Sequence, residues 1–150
     1  MPTLRIETWI DAPMERCFDL ARSVDAHLAS TSRTGERAVA GVTSGLLGLG
    51  DSVTWEARHF GVRQRLTSTI TRFEPPHLFE DCMVKGIFAS FSHVHEFVCA
   101  RGGTTMIDVF SYRSPLGVLG RLADLLLVER HMRRFLEERA SYLKRAAEES

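Results

Sequence analysis

The sequence predicts an α+β domain, in which one large antiparallel sheet carries its helices at the two ends of the chain. Three observations lead there. Segments that alternate apolar and polar residues recur through residues 3–113, the period of a half-buried strand. The later segments are joined by short links carrying Gly61, Gly86 and Arg101-Gly102-Gly103, which pair neighbouring strands as antiparallel hairpins. From Val118 to about Ala147 the apolar spacing changes to three and four, the period of an amphipathic helix. Helices segregated from an antiparallel sheet define the α+β class.

Taken in order, residues 3–11 (TLRIETWID) set Leu4, Ile6, Thr8 and Ile10 against Arg5, Glu7, Trp9 and Asp11, as in a half-buried strand. Pro13 suits a first helical turn, and Met14, Cys17, Phe18 and Ala21 then recur at helical spacing. A second short helix is expected near Val24 to Ser30. Residues 34–41 (TGERAVAG) read as a short strand, and the loop GVTSGLLGLGD follows. Residues 52–60 (SVTWEARHF) and 62–73 (VRQRLTSTITRF) alternate again, the second with a polar face of Arg63, Arg65, Thr67, Thr69 and Thr71. Glu74-Pro75-Pro76 breaks the run, and residues 78–85, 88–100 and 104–113 bring the sheet to about seven strands.

Ser114-Pro115 ends the sheet. In the helix that follows, Leu122, Leu126, Met132, Phe135, Leu136, Ala140 and Leu143 form the apolar stripe. A helix of about 30 residues is a rod of roughly 45 Å, long enough to cross the whole sheet, with a kink expected near Glu129 to Met132. No repeat, linker or low-complexity segment interrupts the chain, so residues 1–150 are expected to form one domain. A single helix laid across a large curved sheet leaves space beneath it, a natural ligand cavity.

Composition narrows the function classes. The 150 residues include 19 Lys+Arg and 19 Asp+Glu, a formal net charge of zero. A nucleic-acid binder normally carries a basic excess, so that class is disfavoured. All basic residues except Lys85 and Lys144 are arginine, which reads as a compositional bias, with Arg130, Arg133 and Arg134 on a solvated helix face. Cys17, Cys82 and Cys99 are odd in number and widely spaced, so neither a disulfide framework nor a CxxC zinc site is indicated; all three are expected as buried thiols. The start MPTLRIETWID lacks the apolar core of a signal peptide, and no run of about 18 apolar residues exists to span a bilayer. A cytoplasmic protein without stable membrane insertion is expected. A neutral surface and an edge strand also permit a homodimer.

Strand parity then places the polar residues. In 52–60, Val53, Trp55, Ala57 and His59 share the more apolar face. In 78–85, Phe79, Asp81 and Met83 go together, and in 88–100 Phe91, His93, His95, Phe97 and Cys99. In 104–113, Met106, Asp108, Phe110 and Tyr112 share a face, although Ile107 and Val109 make the opposite face apolar as well. The inward face would thus carry His59, His93, His95, Asp81 and Asp108. Ionisable groups in an apolar wall are costly unless paired, and a carboxylate beside an imidazole fixes its tautomer and raises its pKa.

Three readings stay open for that cluster. It could be a buried hydrogen-bond network that stiffens the sheet, or a polar patch orienting a hydroxyl, carbonyl or carboxylate of a ligand. It could also be a general acid/base pair. His93 and His95 at i, i+2 could ligate one ion, but a lone HxH is a weak signal, and no metal or cofactor is expected. Trp55 and Phe97 are core or cavity wall. Leu46, Leu47 and Leu49 belong either to a plain connection or to a lid over the cavity mouth. His27, His77 and His131 are read as surface or capping residues.

Several stretches carry a resemblance. IDAPMERCFDLARSVD, LGDSVTWEARHFG, FEDCMVKGIFASFSHVHEF and TTMIDVFSYRSPLGVLG, in that order, resemble the START-like superfamily, also called the helix-grip, SRPBCC or polyketide cyclase/dehydrase fold, and within it a bacterial ligand-binding branch. The resemblance covers essentially the whole chain and implies a deep cavity for an apolar or amphipathic small molecule. It implies no reaction, since the superfamily spans carriers, receptors and cyclases. The residues expected at the ligand are Trp55, His59, Asp81, Met83, His93, His95, Phe97 and Asp108, with the polar end near His59, His95 and Asp81. The alternative is a cyclase or dehydratase using the same His/Asp cluster. His95→Phe separates them, altering ligand choice in a binder and abolishing turnover with binding nearly intact in an enzyme.

Overall fold

The computed structural model describes residues 2–59, 61–113 and 127–149. Its elements run β1 (Thr3–Ile10), α1 (Met14–Ala21), α2 (Val24–Ser30), a 3-10 turn (Ser32–Thr34), β2 (Arg37–Gly41), β3 (Ser52–His59), β4 (Val62–Glu74), β5 (Leu78–Lys85), β6 (Ser90–Ala100), β7 (Gly103–Arg113) and α3 (Glu129–Glu149). The strands form one seven-stranded sheet in the order β1-β7-β6-β5-β4-β3-β2, and every neighbouring pair is antiparallel. This is the α+β arrangement of about seven strands, two short helices after the first strand and a C-terminal helix that the sequence predicts. The C-terminal helix is described from Glu129 onward; Leu122 and Leu126 of its expected stripe lie outside the described residues.

The hairpin logic of the sequence holds in detail. His59 pairs with Val62 across the β3–β4 link, where Gly61 takes a φ of +75°, a conformation that costs glycine little. Gly103 opens β7 against β1, and a Cβ there would meet the Ile10 carbonyl oxygen at 2.4 Å; only glycine lets the two strands approach so closely. On the outer face, the hydroxyls of Thr54 and Thr67 lie 2.8 Å apart. Arg65 Nε donates to Glu56 Oε2 at 2.9 Å. The polar face of β4 is therefore a set of cross-strand pairs.

The inner face is sealed from both ends. Met14, Cys17, Phe18 and Ala21 of α1 are all buried, as their spacing predicts. Phe18 is the anchor, with the rings of Phe73, Phe79 and Phe97 at centroid distances of 5.6, 5.4 and 5.5 Å, within the range of favourable aromatic pairs. Leu136, Ala140, Leu143 and Ala147 bury the inward stripe of α3. A second cluster joins Leu4, Phe91, Phe110, Tyr112 and Leu136. One expectation fails here. Cys17 is buried, but Cys82 is half-buried and Cys99 is exposed. The alternation of β6 lapses at its end, where Val98 and Cys99 are both exposed, because this tip of the β6–β7 hairpin runs beyond the cover of the helices.

Candidate functional site

β5, β6 and β7 are adjacent, and their register explains the polar cluster. Asp81 stands opposite His93, and His95 opposite Asp108. The four side chains form a zigzag across three strands on the inner face, and each hydrogen bond runs obliquely from one rung to the next. His93 Nε2 donates to Asp108 Oδ1 at 3.0 Å, and His95 Nε2 donates to Asp81 Oδ1 at 2.8 Å. A carboxylate can only accept, so each Nε2 carries its proton. His95 Nδ1 also lies 3.2 Å from Asp108 Oδ1, without the alignment of a hydrogen bond. The two imidazoles stack on each other at 3.8 Å, and Phe79 stacks on His95 at 4.1 Å.

A fifth group completes the cluster. Arg139 of α3 is buried, sends Nη2 to the Ala21 carbonyl oxygen at 2.9 Å, and holds Nη1 at 3.5 Å from Asp108 Oδ1. The helix is thus tied electrostatically to the sheet at its most buried acid, since the Asp108 side chain is 1% exposed. Arg139 is absent from the apolar stripe read from the sequence. Yet it lies three residues after Leu136 and four before Leu143, within the stripe that packs inward.

The electrostatics follow from this geometry. Burial opposes ionisation of Asp108, but the hydrogen bond from His93, the His95 imidazole beside it and the charge of Arg139 outweigh it and hold its carboxyl far below the usual carboxylate range. Asp81 is also lowered: burial raises it, and the hydrogen bond and charge of His95 more than offset that. His93 is pushed down to about 4, first by burial and then by the neighbouring His95. A neutral His93 facing an ionised Asp108 is the consistent state. Asp81, His93 and His95 each place one ligand atom within 4.8 Å of the others, a donor set that a divalent cation could use. The Arg139 guanidinium beside the same cluster opposes such a charge.

His59 departs from the expected grouping. It lies on β3, three strand positions from β6, roughly 14 Å away at ordinary strand spacing. Its Nδ1 meets His131 Nε2 of α3 at 2.8 Å. Burial lowers the pKa of both rings. His27, also expected at the surface, packs at a tilt against Trp55 with ring centroids 4.2 Å apart, and its Nε2 donates to Glu36 Oε1 at 2.9 Å. His27 and His131 are therefore built into the inner face. His77 is exposed, as expected.

Both groupings border one cavity of about 300 Å³ between the sheet and α3, at the lower end of the range for ligand pockets. Trp55, His59, Asp81, His93 and His95 of the expected ligand residues line it. The other three lie in packed surroundings: Phe97 against Phe18, Met83 against the Phe91–Phe110 cluster, and Asp108 under the two imidazoles. The glycine-leucine loop docks on the α1–α2 junction, where Leu47 N donates to the Arg22 carbonyl and Val24 N to the Gly45 carbonyl. Leu47 lines the cavity, while Leu46 and Leu49 are exposed.

No family model matches the chain, and no curated protein does. Solved structures do. Protein TTHA0849 from Thermus thermophilus superposes with a TM-score of 0.78 at 21% identity, covering 96% of this chain and 95% of that one. Protein Ms6760 from Mycobacterium smegmatis gives 0.70 at 19% identity, with 96% and 89% covered. The ginseng major latex-like protein 151 from Panax ginseng gives 0.59 at 16% identity, with 89% and 95% covered. At these identities the shared property is the fold, and it is the START-like, helix-grip fold.

Proposed function

We propose that the protein binds a hydrophobic or amphipathic small molecule in the cavity beneath α3, with a polar end addressed by Asp81, His93, His95 and Arg139. The observation that carries this reading is the wall itself. Phe79, Phe91, Phe110 and Leu66 supply apolar surface in the same cavity as Asp81, His93 and His95. Ligand sites combine these features, a mostly apolar wall with a few placed polar groups. Arg139 supports the polar end: the residue lines the cavity and its buried Nη1 has no well-formed hydrogen bond in the described structure, so a ligand carbonyl or carboxylate that reached it would satisfy it.

The neutral dye N-phenyl-1-naphthylamine tests the reading. It fluoresces strongly only in apolar surroundings and should titrate the protein with saturation near one dye per chain. Ala57 is buried and lies on the cavity floor, so Ala57→Phe fills the space. Dye affinity should fall at least about tenfold, with the circular dichroism unchanged. A folded variant that binds dye as the parent does would overturn the proposal.

A second reading rests on one contact pattern. His95 has a carboxylate oxygen near each ring nitrogen, 2.8 Å from Nε2 and 3.2 Å from Nδ1. An imidazole so placed can take a proton on one side and release one on the other, the requirement for acid/base chemistry of cyclase or dehydratase type.

A further inference from the structure

At the far side of the same cavity, Glu36 is the residue whose partners do not account for it. Its side chain is 7% exposed and lines the cavity. Oε1 accepts from His27, but Oε2 is buried with no hydrogen-bond partner. Gln64 lines the same cavity, and its Oε1 is likewise buried with no partner.

The sheet register aligns these two acceptors. Arg37 pairs with Glu56, so Glu36, one residue earlier, stands beside Ala57, and Ala57 pairs with Gln64. The rung thus reads acceptor, small residue, acceptor across three strands, spanning roughly 10 Å. The methyl group of Ala57 leaves the middle of the rung open to the cavity. Along β3, Trp55 and His59 flank Ala57 on the same face, His27 covers Trp55, and Phe135 lies 5.9 Å from His59.

A buried acceptor without a donor costs free energy. Two on one rung, one of them a carboxylate and both walled by aromatic rings, call for a group that is cationic and donates several hydrogen bonds. Resting on the binding reading above, we infer that Glu36 and Gln64 form an ammonium-binding station, and that the ligand class is an amphipathic amine. The amine head sits on the Glu36–Ala57–Gln64 rung, and the apolar body runs towards Phe79 and the His/Asp cluster. A protonated amine carries three donors, enough for Glu36 Oε2 and Gln64 Oε1 with one left. The rings exclude water, which strengthens both the ion pair and the attraction of a cation to aromatic faces.

Calorimetric titration at neutral pH with octylamine and octanol tests this, since the two probes share a chain and differ in the head. Octylamine is protonated there, as a lysine side chain is. Octylamine should bind at least about tenfold more tightly than octanol. E36Q keeps the acceptor for His27 and removes the charge, and should bring the two probes to within about threefold. Gln64→Met, a second variant that leaves Glu36 in place, should weaken octylamine at least threefold and leave octanol unchanged. Glu56→Gln, on the outer face, should change neither. Octanol binding without a preference for the amine, or a preference that survives E36Q, overturns the ammonium station and leaves the binding reading standing. Failure of both probes to bind overturns the two together.

Discussion

His93 shows how one residue couples the site to stability. Its pKa in the folded chain is about 4, against about 6.5 for a free histidine. As pH falls below about 6.5 the unfolded chain takes up this proton and the folded chain resists it. The stability His93 contributes is therefore complete above about pH 6.5 and drains away between there and about 4, by up to about 3 kcal/mol. His59 and His131 are lowered too and act in the same direction. Asp81 and Asp108 are lowered carboxyls, so their contribution is lost at still lower pH. Urea unfolding at about pH 7 and about pH 4.5 should show this loss in the parent protein and a smaller loss in His93→Gln; equal losses would refute the buried, neutral assignment.

The residue scale is also where the sequence was least legible. Parity put Asp81, His93, His95 and Asp108 on one face, because strand periodicity is local. It put His59 on that face too, but a shared face says nothing of distance, and the hairpin order sets β3 three strands from β6. Glu36 and Arg139 were missed for a different reason. The reading of 34–41 as a short strand gives it no faces, and the helical stripe counts apolar residues alone, although Glu36 shares its strand parity with the half-buried Ala38 and Arg139 falls in the helical stripe. Position in the period carried the signal; residue type concealed it.

At the scale of elements, α1 shows periodicity succeeding. Eight residues make a marginal helix by themselves, so packing must hold it, and Phe18 supplies that packing through its three aromatic neighbours. Phe18→Ala should cost about 3–5 kcal/mol, the range for truncating a buried phenylalanine. A chemical denaturation midpoint that barely moves would show that α1 is held by its backbone and not by this ring. β6 marks where the same logic ends. Its alternation is strict from Phe91 to Phe97 and fails at Val98–Cys99, because a period tells which residues share a face and not how far the cover over that face extends. α3 joins the two halves of the site, sending His131 to His59 and Arg139 to Asp108. Both polar groupings are therefore tied to one helix.

For the whole molecule, the class was readable because each level agreed: alternating segments, glycine links and a long terminal helix all required one antiparallel sheet under one helix. The size of the space beneath that helix was not readable, since it depends on how side chains from five strands and three helices fill it. Two polar groupings, one acidic and imidazole-rich with an arginine and the other the proposed Glu36–Gln64 station, stand at separate places along a mostly apolar wall. A molecule with an apolar body and polar ends is the complement of that surface.

The most direct test is residue-resolved NMR of the protein titrated with octanol. Saturable shifts confined to cavity residues such as Trp55, Ala57, Phe79, His95 and Leu136, with Thr54, Thr67 and Thr69 of the outer face unmoved, are the expected result. No saturable shift, or shifts centred on the outer face, would contradict ligand binding beneath the helix.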